Sequence, residues 1–538
     1  MGRKLYYIIS VSALGVILFI GFFITNLAYH LLYIALPLIL LGVYNIFQKK
    51  SNILRNYPVW GYMRYILLSI RPQIHQYYVA TNQSGRPFSR EMRELVYHRA
   101  EKTLETVPFG TQRDVDTPGF EWINHSLAPT DLDPACLRTV VGGAACTQPY
   151  NASRLNISAM SFGALSSKAV RALNRGAKMG NFAHNTGEGG LSRYHLMEGG
   201  DIIWQIGTGY FGCKTKDRKF DPVQFKEKSR LDVVKMIEIK LSQGAKPAHG
   251  GILPAIKVST EIAAARGVER GEDCISPPAH SAFSTPIELL EFVQTLRELS
   301  GGKPVGFKLC VGIRRHFMAI CKAMLKTKIY PDFITVDGSE GGTGAAPVEF
   351  SDFIGTPLAE GLSFVHNSLV GAGLRDKLKI IASGKVVSGF DMVTKIALGA
   401  DLCNSARGMM FALGCVQSRR CHENTCPTGV TTQDSWYNRG LDVDNKAPRV
   451  HNFHDATLES LREVLGAAGL ERPEDLTPAH VRRQISEVES LTYGQIYHYL
   501  RPNAFNTGHV PEYYAKIWEL ASANEFGDLL IEDCYYHR

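Results

Sequence analysis

The sequence predicts an α/β protein: a (β/α)8 TIM barrel with a transmembrane helical hairpin before it and a helical extension after it. Three observations carry this. From Asn156 onward, short apolar runs alternate with helical stretches, which is how a parallel sheet reads. Several of those runs end in Gly, Ser or Asn, as strands feeding functional loops do. The first fifty residues hold two long stretches without a charge.

In chain order, the hairpin comes first. The runs 6–24 (YYIISVSALGVILFIGFFI) and 31–47 (LLYIALPLILLGVYNIF) are each near the ~20 residues that cross a bilayer. Only TNLAYH separates them, and no A-x-A-like cleavage site follows the first, which disfavours a signal peptide. Arg3, Lys4, Lys49 and Lys50 flank the pair and place both ends on the cytoplasmic side of the membrane, with the main body facing the cytoplasm. From Met1 to Arg71 there is no Asp or Glu, and Arg55, Arg64 and Arg71 add to the four flanking cations. These account for most of the formal charge of +8, so the rest is nearly neutral and nucleic acid is not expected as a partner.

Residues 51–150 read as a linker and helical N-terminal extension. RYILLSIRPQIHQYY is either an amphipathic segment at the membrane surface or a helix packed on the next domain. The stretch 89–106 opens on a Ser cap and has helical periodicity.

The barrel is expected over 151–433. Nine strand candidates compete for eight places: 156–162, 182–187, 202–207, 237–243, 274–278, 305–310, 333–338, 379–384 and 402–407. IIWQIG (202–207), followed by TGYFGCKTKDRKFD, reads as the excursion. A doubly wound open sheet is the competing architecture. Residues 434–538 are expected to form a helical extension, with helices in DATLESLREVLGAAGL, TPAHVRRQISEVESL and EYYAKIWELASANEF.

Chemistry on such barrels sits at the carboxyl ends of the strands. There the sequence places Glu188 (NTGEGG), Gln243 and Lys246 (SQGAKPAHGG), and Lys308 inside VGFKLC. A lysine within an apolar strand requires an anion, from the protein or from a ligand. GGTG (341–344), ASGK (382–385) and SARG (405–408) are glycine-bearing strand ends that suit a phosphate. Cys415, Cys421 and Cys426 form C-x5-C-x4-C, with Pro427 after the last. No C-x2-C pair accompanies them, so spacing leaves iron–sulfur, zinc and plain burial open. A three-iron cluster needs these three thiols, and a four-iron cluster would need Cys403 or a non-cysteine ligand as well.

Seven motifs in order, NISAMSFGALS, HNTGEGG, IEIKLSQGAKP, CISPPAH, GFKL, DGSEGGTGAAP and GCVQSRRCHENTCPTGV, closely resemble the FMN-binding synthase domain of glutamate synthase. The whole chain resembles the shorter stand-alone members that carry a membrane hairpin. The resemblance implies an oxidoreductase that binds FMN and a [3Fe–4S] cluster. It implies that Ala159, Met160 and Ser161 present backbone to the flavin, and that Gln243 and Lys308 meet its polar rim. Gly341, Gly342, Thr343, Gly384, Arg407 and Gly408 would hold its phosphate, and Cys415, Cys421 and Cys426 would ligate the cluster. Lys246 and Arg266 would bind the carboxylates of a 2-oxo acid, and Glu188 would position or deprotonate ammonium.

The implied reaction converts 2-oxoglutarate and ammonia to L-glutamate, with electrons passing through the cluster to FMN from a ferredoxin or another reductase. No amidotransferase domain precedes the barrel in this sequence, so nitrogen is expected free or from a separate amidotransferase. Where the family reads KPGEGGQLP this chain reads KPAHGGILP, and His249 and Ile252 put the identity of the oxo acid in question. Three rival readings remain: a membrane-tethered FMN/iron–sulfur electron-transfer subunit, a methylglutamate-synthase-like amino-transfer subunit, and a nucleotide-phosphate barrel without iron.

Overall fold

The computed structural model describes residues 2–103, 105–508 and 510–527. Contacts divide the chain into two compact units, Met1–Arg90 and Glu91–Arg538.

In the first unit, the uncharged runs fold into helices Gly2–Phe23 and Leu32–Phe47, joined by a tight helical turn Asn26–Leu31. Gly2–Phe23 and Asn26–Phe47 are each long and apolar enough to cross a membrane. The two pack closely where side chains are small. Gly42 lies against the Tyr6 ring, where a Cβ would come within 2.2 Å, and the Tyr6 hydroxyl donates to the Ile39 carbonyl at 2.5 Å. A third helix, Gly61–Ile74, follows.

The second unit is built on a closed parallel barrel. Its strands are β1 Leu155–Ile157, β2 His184–Asn185, β3 Ile202–Ile206, β4 Val234–Lys240, β5 Val305–Leu309, β6 Phe333–Asp337, β7 Lys379–Ser383 and β8 Leu402–Ser405. They pair in chain order, and β8 closes on β1. This is the predicted fold, with one exchange of strands. IIWQI is a full barrel strand, and the insertion is the region of CISPP. All five residues of β3 are buried, and Trp204 stacks on Phe225 at 5.2 Å. Cys274–Ile275 instead forms a two-residue antiparallel pair with Ile252–Leu253; Ile275 is 63% exposed, and prolines 277 and 278 cannot donate to a ladder. A run buried on both faces is what a barrel strand requires.

The amino-terminal mouth of the barrel is plugged. The antiparallel pair Arg138–Val141 and Tyr150–Ser153 contributes Val141, Tyr150 and Ala152 to a core cluster with Ala183, Ile203, Met236, Phe333, Ile381 and Leu402. The open end is therefore the carboxyl end.

After the barrel, helix Val443–Ala467 packs on helix Ser167–Met179, at a point where a Cβ on Gly176 would meet the Ala447 carbonyl at 2.8 Å. Helix Glu512–Leu520 also forms as expected. The helix expected in TPAHVRRQISEVESL does not. Val481–Ser486 and Glu489–Thr492 form a hairpin that adds to Glu121–Ile123. Arg483 and the Tyr493 hydroxyl both bond the Glu121 carboxylate, at 2.7 Å each. These contacts, made across more than 350 residues of sequence, override the helical bias of the segment.

Candidate active site at the carboxyl ends of the strands

Glu188 follows β2, and Lys240 is the last residue of β4. Lys240 Nζ lies 2.7 Å from Glu188 Oε2, and both side chains are largely shielded from solvent. Burial alone would push the Glu188 carboxyl up; Lys240, and then Lys246 and Arg266, outweigh it and hold the group down at about 2. Gly251 roofs the carboxylate so closely that a Cβ there would fall 2.6 Å from its oxygens.

Lys246 is 1% exposed and donates to the Ala345 carbonyl at 3.0 Å. Burial brings its ammonium down to about 8; Glu188 opposes the shift, and Lys240 and Arg266 add to it. Arg266 closes helix Thr260–Arg266 and is buried rather than solvated. Its Nη2 donates to Ser161 Oγ and the Phe162 carbonyl, each at 3.2 Å, and its guanidinium lies over the Phe211 ring at 5.2 Å. Arg266 Nε is buried with no partner among the described residues. Three cations thus surround the Glu188 carboxylate.

Lys308, in β5, has a protein partner: its Nζ lies 3.1 Å from Asp337 Oδ2 on β6. The anion that an apolar strand lysine requires is therefore supplied by the neighbouring strand. Burial would lower the Lys308 ammonium, but Asp337 and then Glu238 keep it above its ordinary value. Deeper in the barrel, the Glu238 carboxylate accepts from Asn185, Gln205 and Thr335 at 2.6–2.8 Å. Asp337 also accepts from the Gly244 amide at 2.9 Å, and Gly244 approaches so closely that a Cβ would lie 1.6 Å from the Gly338 carbonyl. That contact fixes the loop carrying Gln243 and Lys246 against the end of β6. Gln243 Nε2 is buried there with no partner among the described residues.

Ala159, Met160 and Ser161 leave β1 directly beneath Gly187. Gly187 has φ +64, and a Cβ on it would meet Ser161 N at 2.7 Å, so this backbone stays clear of side chains on that side. Gly341 and Gly342 follow β6, with Gly342 against the Arg407 guanidinium and Thr343 exposed beyond. Arg407 Nη2 donates to the Glu340 carbonyl at 2.7 Å. Gly384 follows β7, while Arg407 and Gly408 open the helix after β8. The predicted glycine-bearing ends therefore meet at one side of the mouth, with Arg407 between them.

Cys415, Cys421 and Cys426 lie in one loop after that helix, and each of the other two raises the Cys415 thiol in addition to its burial. Among the described residues no three His, Cys, Asp or Glu side chains are gathered as a metal site, so the loop offers donors rather than an assembled ligand set. Cys403 is a fully buried residue of β8. Lys257 reaches into the same region, donating to the carbonyls of Ala164, Cys421 and Thr431 at 2.9–3.2 Å. The His249 ring stands edge-on to Phe350 at 5.0 Å, and Ile252 pairs with Ile275.

Sequence reasoning missed Lys240, Asp337 and His280. Lys240 stands in IEIKLSQ two residues after Glu238, so both belong to the same face of β4, and that alternation was its available signal. His280 joins Lys240 O and Tyr210 OH, at 2.9 and 3.0 Å, through its two ring nitrogens.

A parallel barrel whose open mouth holds buried cations in excess beside converging glycine turns has the chemistry to take anionic ligands. The profile for the conserved region in glutamate synthase matches residues 139–471. The glutamate synthase large subunit-like protein YerD of Bacillus subtilis is 39% identical over 492 residues, 83% of this chain and 93% of that protein. The archaeal glutamate synthase [NADPH] of Methanocaldococcus jannaschii is 36% identical over 321 residues, 60% of each chain. The chain spans 20% of the glutamate synthase [NADPH] large chain of Bacillus subtilis, at 33% identity. The chain belongs to the glutamate synthase family and is an oxidoreductase of that type.

Proposed function

We propose that the chain reductively aminates a 2-oxo acid, with 2-oxoglutarate and ammonia giving L-glutamate. The observation that carries this reading is the grouping of Lys240, Lys246 and Arg266 about the single carboxylate of Glu188. Two positive charges are left uncompensated, which matches the two carboxylates of the substrate. The reaction condenses ammonia with the ketone, releases water, and adds two electrons and two protons across the carbon–nitrogen bond, a hydride to carbon and a proton to nitrogen.

FMN, when bound, supplies the two electrons as a hydride. The chain's residues fit it on two counts. Gln243 Nε2 is a buried donor without a partner among the described residues, suited to the polar rim of the flavin. The turns bearing Gly341, Gly342, Thr343, Gly384, Arg407 and Gly408 suit its phosphate. Ala159, Met160 and Ser161 would offer backbone to the ring. Lys308 would stand near it, its charge shared with Asp337. Cys415, Cys421 and Cys426 would hold a [3Fe–4S] cluster, which when bound would supply one-electron chemistry between the flavin and a ferredoxin or another reductase.

The remaining roles fall to the protein's own charges. Lys246 and Arg266 bind and orient the oxo acid. Glu188, held down at about 2, stays ionised at neutral pH and holds ammonium by charge; it is too weak a base there to deprotonate it. Ammonia arrives free or from a separate amidotransferase. The apolar hairpin tethers the chain to the cytoplasmic membrane, with the barrel on the cytoplasmic side.

The test is to add oxo acids with ammonium to the anaerobically reduced protein and follow flavin reoxidation and glutamate. The hairpin favours a second reading, an electron-transfer subunit without oxo-acid chemistry. Reoxidation by none of the oxo acids would sink the first reading and leave the second.

A further inference from the structure

We propose that helix Gly61–Ile74 is an interfacial anchor that lies on a surface of anionic lipid headgroups. The inference rests on the reading of the two preceding helices as a membrane hairpin. Met63, Ile66, Leu67, Ile70 and Ile74 fall at i, i+3, i+4, i+7 and i+11, a single stripe down one face. Each of the five is more than two fifths exposed, so the described residues of the first unit leave the stripe uncovered. Arg64 and Arg71, seven residues apart, border the stripe along one edge. An apolar face edged by arginines is the pattern of a helix lying in the plane of a membrane.

Two further observations commit the stripe to lipid of this charge. Before Glu91 the chain holds nine Lys and Arg and no Asp or Glu. The helix is also bound to the charged end of the hairpin. Asn45 Nδ2 donates to the Pro58 carbonyl at 2.6 Å and reaches the Tyr62 hydroxyl at 3.3 Å, and Ser51 Oγ meets Tyr65 OH at 2.8 Å. Arg3 Nε donates to the Arg55 carbonyl at 2.6 Å, which brings the start of the first helix to the same end. The helix therefore starts where a hairpin meets the headgroups. There anionic lipid attracts each cation near the surface.

The experiment uses the full chain in vesicles of phosphatidylethanolamine and phosphatidylglycerol, with a benzophenone photocrosslinker placed at Phe19, Ile70 or Ser69. Lipid adducts are read by mass spectrometry. Adducts are expected at Phe19 and Ile70 and in several-fold lower yield at Ser69, about 100° round the third helix from Ile70. The Ile70 yield is expected to fall several-fold in phosphatidylcholine vesicles, and again when Arg64→Gln and Arg71→Gln are combined. Lipid adducts at Phe19 with none at Ile70 would overturn the proposal and leave the hairpin standing. A crosslink from Ile70 to a second copy of the chain would also overturn it. Absence of lipid at both Phe19 and Ile70 would remove the hairpin reading and the proposal with it.

Discussion

Lys240 Nζ and Glu188 Oε2 lie 2.7 Å apart, and this pair joins the end of β4 to the loop after β2 across the mouth of the barrel. Lys240→Met leaves a buried carboxylate with weaker partners. Breaking a buried pair from one side costs about 3–5 kcal/mol, and Lys246 and Arg266 keep the loss toward the lower figure. The pair also sets an acid limit. Glu188 titrates near 2 in the fold against 4.5 ordinarily. Its stabilisation is complete above pH 4.5 and is lost as the pH falls toward 2. Denaturant unfolding from pH 6 to pH 3 should therefore show a shallower acid loss in Lys240→Met than in the parent protein. Equal slopes would show that Lys240 does not hold Glu188 ionised.

Gly251→Ala tests the roof over the same carboxylate. The added methyl would lie 2.6 Å from the Glu188 oxygens, so the carboxylate or the loop has to move. If Glu188 holds ammonium, the KM for ammonium should rise about tenfold or more, with the KM for the oxo acid nearly unchanged. A rise in the oxo-acid KM alone would place Glu188 outside the ammonia path.

The residues that the fold gathers at the mouth of the barrel stood out in the sequence wherever a strand end carried an unusual group. Lys308 in VGFKLC stood out because burial makes a lysine costly, and Lys246 in SQGAKP because it follows a strand end; both are buried. Lys240 was passed over because a lysine near the end of a strand reads as solvated until the loop above it is known. That loop is the insertion 241–285, whose fold depends on Gly244 meeting Gly338 and Gly250 meeting Ser276, contacts without a local signal. The exchange of IIWQI for CISPP has a similar origin. Two short apolar runs look alike until burial on both faces separates them. The hairpin after Val481 forms on a strand from residue 121, far outside any window of local sequence.

Arg266→Gln should weaken the oxo acid while sparing the fold. Its bonds to Ser161 and to the Phe162 carbonyl can pass in part to the amide, but the charge cannot. Loss of one charge-assisted contact corresponds to about 1.5–3 kcal/mol, or roughly 10- to 150-fold in the KM for 2-oxoglutarate. Arg266→Lys should fall between, because it keeps the charge and loses the guanidinium that lies over Phe211. An unchanged KM in both variants would remove Arg266 from the substrate site.

Cys421→Ser separates the cluster from the flavin. The three thiols share one loop, at chain positions separate from Gln243 and from the glycine turns after β6 and β7. Iron should drop to background in the purified variant, while the flavin absorbance is retained in good part. Iron content equal to that of the parent would refute the assignment of Cys421 as a ligand.

Lys246 makes substrate affinity depend on pH. Burial brings its ammonium down to about 8, against 10.5 in an unfolded chain. Between those values the unfolded chain binds more protons than the folded one. Before substrate binds, the protein therefore gains stability from this group as the pH rises from 8 toward 10.5. A bound carboxylate reverses the balance, because it stabilises the charged amine and raises its titration point. Binding of 2-oxoglutarate must then take up a proton above pH 8, and the affinity should fall as the pH rises, by at most about tenfold per unit. Calorimetry at pH 7 and pH 9, in buffers of different ionisation enthalpy, measures both the affinity and the proton uptake. Lys246→Gln should bind more weakly at pH 7 and lose most of the pH dependence. A parent affinity that stays constant from pH 7 to pH 9 would show that Lys246 does not meet the substrate.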